Sequence, residues 1–255
     1  MIKPLAYKKT LEGKSCAHLI TFDDGKDYVV KYVQPVFDKA LPNEWIAYCL
    51  GRYLGLPIPY SRIVEIPSEF STNIPELLQM SDSHHHFASL YIPDCIDGHE
   101  ATSVSHIINN DTLASIILFD YWLHNRDRTR KNILLLEKEP QSYHLWAIDH
   151  SEVFGSYSWL LSDLEIQQAD IMKSATHQFM AKYIEDENSF YEQLELIQTI
   201  PTFLIEEIVS VIPDEWNVTR EERKAIVSTL VERRKHILPN LLQKVIHEMY
   251  RPMHK

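Results

Sequence analysis

The chain has 255 residues, enough for one large domain or two lobes around a shared core, and its 45% apolar and 24% charged residues make an ordinary globular balance. A net charge of -11 argues against bulk attraction to DNA, RNA or an anionic membrane, so neither nucleic acid nor membrane is an expected partner. A phosphate-bearing ligand has to be met by a local cluster of cations. The N-terminus has no long apolar run of the signal-peptide kind, and no stretch approaches the about 18 apolar residues of a membrane span. Cys16, Cys49 and Cys95 are scattered, which suits a reducing compartment, and a cytoplasmic protein is expected.

In chain order, His18 to Phe22 reads as a strand, Asp23-Asp24-Gly25-Lys26 as a hairpin turn and Tyr28 to Val33 as the return strand. Leu11-Glu12-Gly13-Lys14-Ser15 lies just before the first of these strands, where a phosphate-covering loop would lie, although it carries a single glycine. Ile46, Cys49, Leu50 and Tyr53 recur at helical spacing, and Gly55-Leu56-Pro57 ends that helix. Arg62 to Ile66 and Phe87 to Ile92 read as strands, with a polar stretch between them that ends in His84-His85-His86. Those three histidines are expected on a solvated loop.

Beyond Pro93 the pattern changes. Thr112 to Leu123 is apolar on most sides and reads as a buried helix. Ile133 to Leu136 and His144 to Ile148 read as two strands of a hairpin. From about Ser162 the chain is helical in character, with Glu206 to Ile212 and Glu221 to Met249 apolar near every 3.6 residues, and breaks expected at Pro213 and Pro239. Trp159, Tyr183, Tyr191 and Trp216 in this part are expected to offer a docking surface.

The chemistry is concentrated in the loop His124-Asn125-Arg126-Asp127-Arg128-Thr129-Arg130-Lys131-Asn132, between the buried helix and the hairpin. Asp127 and Asn132 are five positions apart on it, and Asp149 ends the hairpin 22 positions after Asp127. Phosphoryl transfer needs this set. Magnesium takes hard oxygen ligands, which a carboxylate and an amide oxygen supply, and a further carboxylate orients or deprotonates the attacking hydroxyl. Arg126, Arg128, Arg130 and Lys131 would place positive charge against ATP or a phosphorylated product. His124 and His150 flank the loop acids as packing or supporting residues.

Val29, Lys31 and Val33 share one face of their strand. A lysine between two valines needs an anionic partner, and Glu44 on the following helix is the candidate. Ala47 and Gly51 share the face of Glu44, and their small size predicts close approach to the sheet.

These segments resemble the HipA-like kinase family in its short single-domain form. The resemblance rests on Asp24-Gly25-Lys26-Asp27-Tyr28-Val29-Val30-Lys31, Asn43-Glu44-Trp45-Ile46-Ala47, Leu54-Gly55-Leu56-Pro57-Ile58-Pro59 and Phe87-Ala88-Ser89. It continues through Phe119-Asp120, Asn125-Arg126-Asp127-Arg128 with Lys131-Asn132, and Ile148-Asp149-His150. It implies an α+β, two-lobed protein-kinase-like fold, with a strand-rich lobe over 1–92 and a mainly helical lobe over 93–255.

ATP and Mg2+ are the implied cofactors. Asp127 is the implied base, Asn132 and Asp149 the metal ligands, and Lys31 the phosphate contact. Glu44, Gly13, Ser15, Ser89 and Tyr91 complete the nucleotide site, and Ser15 is a candidate for self-phosphorylation. A serine or threonine hydroxyl on a protein is the favoured acceptor. The long N-terminal region of HipA toxins does not precede this kinase core, so an antitoxin partner is not expected. A nucleotide-holding pseudokinase, a small-molecule kinase and a helical adaptor are the alternatives.

Overall fold

A computed structural model describes residues 2–80, 84–101, 103–166, 168–172 and 174–254. The first sheet is built from β1 (Pro4–Thr10), β2 (His18–Phe22), β3 (Asp27–Lys31), β4 (Ser61–Glu65) and β5 (His85–Leu90), in the order β1-β2-β3-β5-β4 with antiparallel neighbours throughout. Gly25 takes a φ of 76° in the β2–β3 turn, a conformation that Asp-Gly turns favour. One face of the sheet closes its own small core, with Ile20, Phe22, Tyr28, Val30, Val64 and Ala88 packed with Leu77. Period-2 alternation sends Val29 and Lys31 to the other face.

Helix α1 (Ala40–Tyr53) packs across that second face, and a short α2 (Ser68–Ser71) follows β4. Pro42 lies in the first turn of α1, where its missing N–H leaves no hydrogen bond unmade. Gly51 does not serve approach to the sheet, as its face suggests. A Cβ there would overlap Ile58 Cδ1 and touch Phe119 at 3.4 Å, so the glycine admits the segment after the helix and the neighbouring lobe.

The second sheet has the order β6-β8-β9-β7, from β6 (Cys95–Asp97), β7 (His106–Ile107), β8 (Ile133–Glu139) and β9 (Ser142–Ala147). Helix α3 (Leu113–Leu123) precedes β8 and is buried at every residue. The large core closes around it with α4 (Leu161–Glu165), α5 (Ala175–Ala181), α6 (Asn188–Thr199), α7 (Thr202–Ser210), α8 (Arg220–Glu232) and α9 (Leu238–Val245), and an exposed turn, α10 (Arg251–Met253), follows.

Thr219 and Glu222 form a reciprocal capping box that starts α8. The expected break at Pro239 does not occur. A π-helical turn, Arg233–Ile237, leads α8 into α9, and Pro239 falls in the first turn of the new segment. The helical character expected from about Ser162 is interrupted, since Ile166 and the described residues up to Ser174 are not helical.

Candidate active site

Lys31 closes β3, Glu44 faces it from α1, and Asp149 follows β9 with a left-handed φ of 54°. The Lys31 ammonium bonds the Glu44 carboxylate and donates to Asp149 Oδ1 at 2.9 Å. Burial disfavours the ammonium, but the carboxylates of Asp149 and Glu44 more than reverse that and raise its pKa. Asp149 responds in kind: burial pushes its carboxyl up, and Lys31 with Ser151 holds it below the ordinary value. Ser151 donates through Oγ at 2.8 Å, also to Oδ1. No described residue donates to Asp149 Oδ2, and the side chain is 35% exposed, so this oxygen is available to a ligand.

The loop from His124 to Asn132 is shaped from below. Helix α3 ends at His124 in the left-handed region, φ 53°, and the chain turns out of the core. Asp120, one turn earlier, is fully buried and accepts from Arg128 Nε at 2.9 Å, Asn125 Nδ2 at 2.8 Å and His177 Nε2 at 2.9 Å. Burial works against its charge, and Arg128 and His177 reverse this, so its carboxyl lies below the ordinary range.

Arg128 also donates to the carbonyls of Asn132 at 2.7 Å and Ile148 at 2.6 Å. One guanidinium therefore joins the end of the loop to the residue before Asp149. Asn132 Nδ2 reaches Asp127 Oδ2 at 3.2 Å, which leaves Asn132 Oδ1 without a described donor. Gly98, at the turn after β6, fixes the far side. Its N–H meets Arg130 O at 2.8 Å, Arg130 Nε returns a bond to Gly98 O at 2.8 Å, and a Cβ at Gly98 would stand 2.6 Å from Arg130 O.

Between the two sheets lies a cleft of about 380 Å³. Gly13, Ser15, Lys31, Glu44, Ser89, Tyr91, Asn132 and Asp149 all line it, with Lys131 beside them. Val29, Ile58, Phe87, Leu134 and Ile148 give it apolar walls. Asp127 is half-buried on the loop next to Asn132 and is not part of the lining. The loop over the cleft, residues 11–17, joins β1 to β2 rather than preceding the first strand. Leu11 N–H to Ala17 O at 2.8 Å closes it, and Gly13 takes a φ of 141°.

Other expectations are corrected. Arg126, Arg128 and Arg130 do not face this cleft; Arg128 is buried against Asp120, and Arg126 and Arg130 line a second cavity across the loop. His85 and His86 are not on a solvated loop. Both belong to β5, where His86 is fully buried and His85 contacts Glu215 at 2.7 Å. Trp159 and Trp216 are fully buried and offer no docking surface, whereas Tyr191 is exposed. His150 is buried behind Asp149, its N–H on Glu44 Oε2 at 3.2 Å, and desolvation lowers its pKa to about 3.

Residues given no role in the sequence reading hold the site in place. Asn43, fully buried on α1, donates to the carbonyls of Ser151, Val153 and Ser156 at 2.6 to 3.1 Å and accepts from Trp159 Nε1 at 2.9 Å. Arg233 donates to the carbonyls of Tyr121, Trp122 and Gln168, so the otherwise open C-terminal end of α3 is capped from the π-helical turn.

The fold is shared with solved kinases. The Helicobacter pylori proinflammatory kinase CtkA superposes with a TM-score of 0.62 at 14% identity, over 97% of this chain and 96% of that one. The Golgi casein kinase with Mn and ADP bound gives a TM-score of 0.57 at 12% identity, over 95% of this chain and 73% of that one. No curated protein matches the sequence. The HipA-like kinase profile matches residues 6–249, nearly the whole length, and the chain belongs to the HipA-like kinase family.

Proposed function

We propose that this kinase transfers the terminal phosphoryl group of ATP, with Mg2+, to a serine or threonine hydroxyl on a protein. The observation that carries the reading is the bridge from Lys31 to Glu44 and Asp149, facing Asn132 across one cleft. Lys31 binds ATP phosphate oxygens, and Glu44 keeps the ammonium charged and aimed. Ser89 and Tyr91 edge the base end of the cleft, and Gly13 and Ser15 cover the phosphates.

Asp149 Oδ2 and Asn132 Oδ1 are hard oxygen donors with no described competitor, so they fit a magnesium ion. Bound there, the metal would neutralise phosphate charge. Asp127 orients the acceptor hydroxyl and takes its proton. The hydroxyl oxygen bonds to the γ-phosphorus, the bond from that phosphorus to the β,γ-bridging oxygen breaks, and ADP leaves with the electron pair. Among the described residues no helix is long and apolar enough to cross a membrane. The expected lack of an antitoxin partner gains no support from the comparisons and is not part of the proposal.

Calorimetric titration with ATP, with and without Mg2+, tests the reading. Saturable heat that strengthens with the metal is expected. No heat and no thermal shift in either condition would contradict it.

A further inference from the structure

A second cavity, of about 540 Å³, opens across the loop from the nucleotide cleft. The cleft takes Lys131 and Asn132 from that loop, and the second cavity takes residues 124–126 and 128–130. Asp127 itself lines neither cavity, but its chain neighbours Arg126 and Arg128 both line the second one, so a hydroxyl held there lies beside the segment that carries Asp127.

The lining is specific. Arg126 is exposed and makes no close ion pair with a described carboxylate, although Glu152, outside the lining, acts on it electrostatically. Arg130 is fixed by its bond to Gly98 O and by the ring of Phe179, 4.0 Å from the guanidinium carbon, which leaves its terminal nitrogens without a described partner. Thr176 lines the cavity with a fully buried side chain, and its Oγ1 has no hydrogen-bond partner. Arg128 adds no free charge because Asp120 neutralises it, and Asp170 is the opposing carboxylate in the lining. On a chain of net charge -11, the Arg126 and Arg130 guanidinium groups, set against the single carboxylate of Asp170 in the same lining, mark a local excess of positive charge.

We infer that this cavity is the acceptor site and that it takes a peptide whose target hydroxyl is flanked by an anionic group, held by Arg126 and Arg130. The inference rests on the protein-kinase reading above and names the class of substrate. The anion can come from an aspartate or glutamate side chain or from a residue already phosphorylated, since a guanidinium pairs with either.

The test uses the full chain and four families of fluorescent peptides centred on serine: flanked by Asp and Glu, by phosphoserine, by Ala, and by Lys and Arg. A matched set has alanine at the centre. Anisotropy reads binding of the alanine-centred set, and labelled ATP reads transfer to the serine-centred set. Anionic flanks are expected to bind and react at least tenfold better than neutral ones, with basic flanks worse. The ratio between the Asp/Glu and phosphoserine arms identifies the source of the anion.

Arg126→Glu is expected to remove the preference while the melting temperature stays near the parent's. His99→Glu, at the exposed rim, should weaken the preference in the same direction. Equal binding of all flanks, or a preference unchanged by Arg126→Glu, would overturn the acceptor site and leave the kinase reading intact. Selective binding of the anionic set with no transfer to any serine would uphold the pocket's selectivity and overturn protein phosphorylation.

Discussion

At the scale of single residues, the informative positions are those whose chemistry conflicts with their surroundings. Lys31 between two valines requires a carboxylate, and that requirement pointed to Glu44, which the structure places on its ammonium. Asp149 joins the same ammonium from a distant stretch of the chain. Asp120 was not legible in this way. Inside an apolar helix it has no partner of its own turn, and its hydrogen-bond partners arrive from Arg128 and His177.

Lys31→Met is expected to weaken ATP binding by roughly tenfold or more, the worth of a lost charge-assisted hydrogen bond, as read by calorimetry. Unchanged affinity would remove Lys31 from the nucleotide site. Asp120→Ala is expected to destabilise the protein by about 3–5 kcal/mol, because it leaves the buried Arg128 charge without its counter-ion. Denaturant unfolding checks it, and a change below about 1 kcal/mol would contradict that assignment.

At the scale of elements, the hairpins, α1 and the buried α3 were readable from periodicity and turn chemistry. Three strands were not. β1 is an exposed edge strand without a clean alternation, and β6 and β7 have three and two residues, too few to carry a period. The continuation past Pro239 depends on a π-helical turn for which propensity gives no signal.

The link between α1 and the segment after Asp149 runs through Asn43, whose amide satisfies three carbonyls. Asn43→Ala is expected to destabilise by about 1–3 kcal/mol, since those carbonyls and the Trp159 indole lose their partner in the interior. It should also raise hydrogen exchange in residues 150–156 above that of the two sheets. Exchange unchanged in that segment would separate Asn43 from its placement.

At the scale of the whole molecule, the two-lobed kinase-like fold was legible because the motif-bearing segments occur in family order. The supporting role of the C-terminal third was not, since it acts at long range: Arg233 reaches the end of α3 more than 100 positions earlier in the chain. Two buried histidines, His86 and His150, and the partly buried His124 set a global acid response. Desolvation lowers the His86 and His124 pKa values to about 4 and that of His150 to about 3.

The unfolded chain therefore binds protons on these rings from about pH 6.5, which the folded chain refuses until about pH 4. Stability is fully present above pH 6.5 and is lost as pH falls toward 4, by roughly 3 kcal/mol for His86 alone. Glu44 and Glu152, whose carboxyls burial raises, act in the opposite sense, and the lowered Asp120 and Asp149 add their loss below about 3.8. Melting temperatures from pH 7.5 to 4.5 should fall, and His86→Phe should flatten the fall. A flat profile in the parent would contradict the desolvated, neutral state of these rings.

The most direct measurement is phosphoryl transfer from labelled ATP, for the parent and for Asp127→Ala, with ATP affinity determined on the same preparations. Transfer to protein is expected from the parent, and the variant should lose about 10²–10⁴-fold in rate with ATP affinity close to the parent's, because a base acts in the transition state. Turnover by Asp127→Ala near that of the parent would contradict the account.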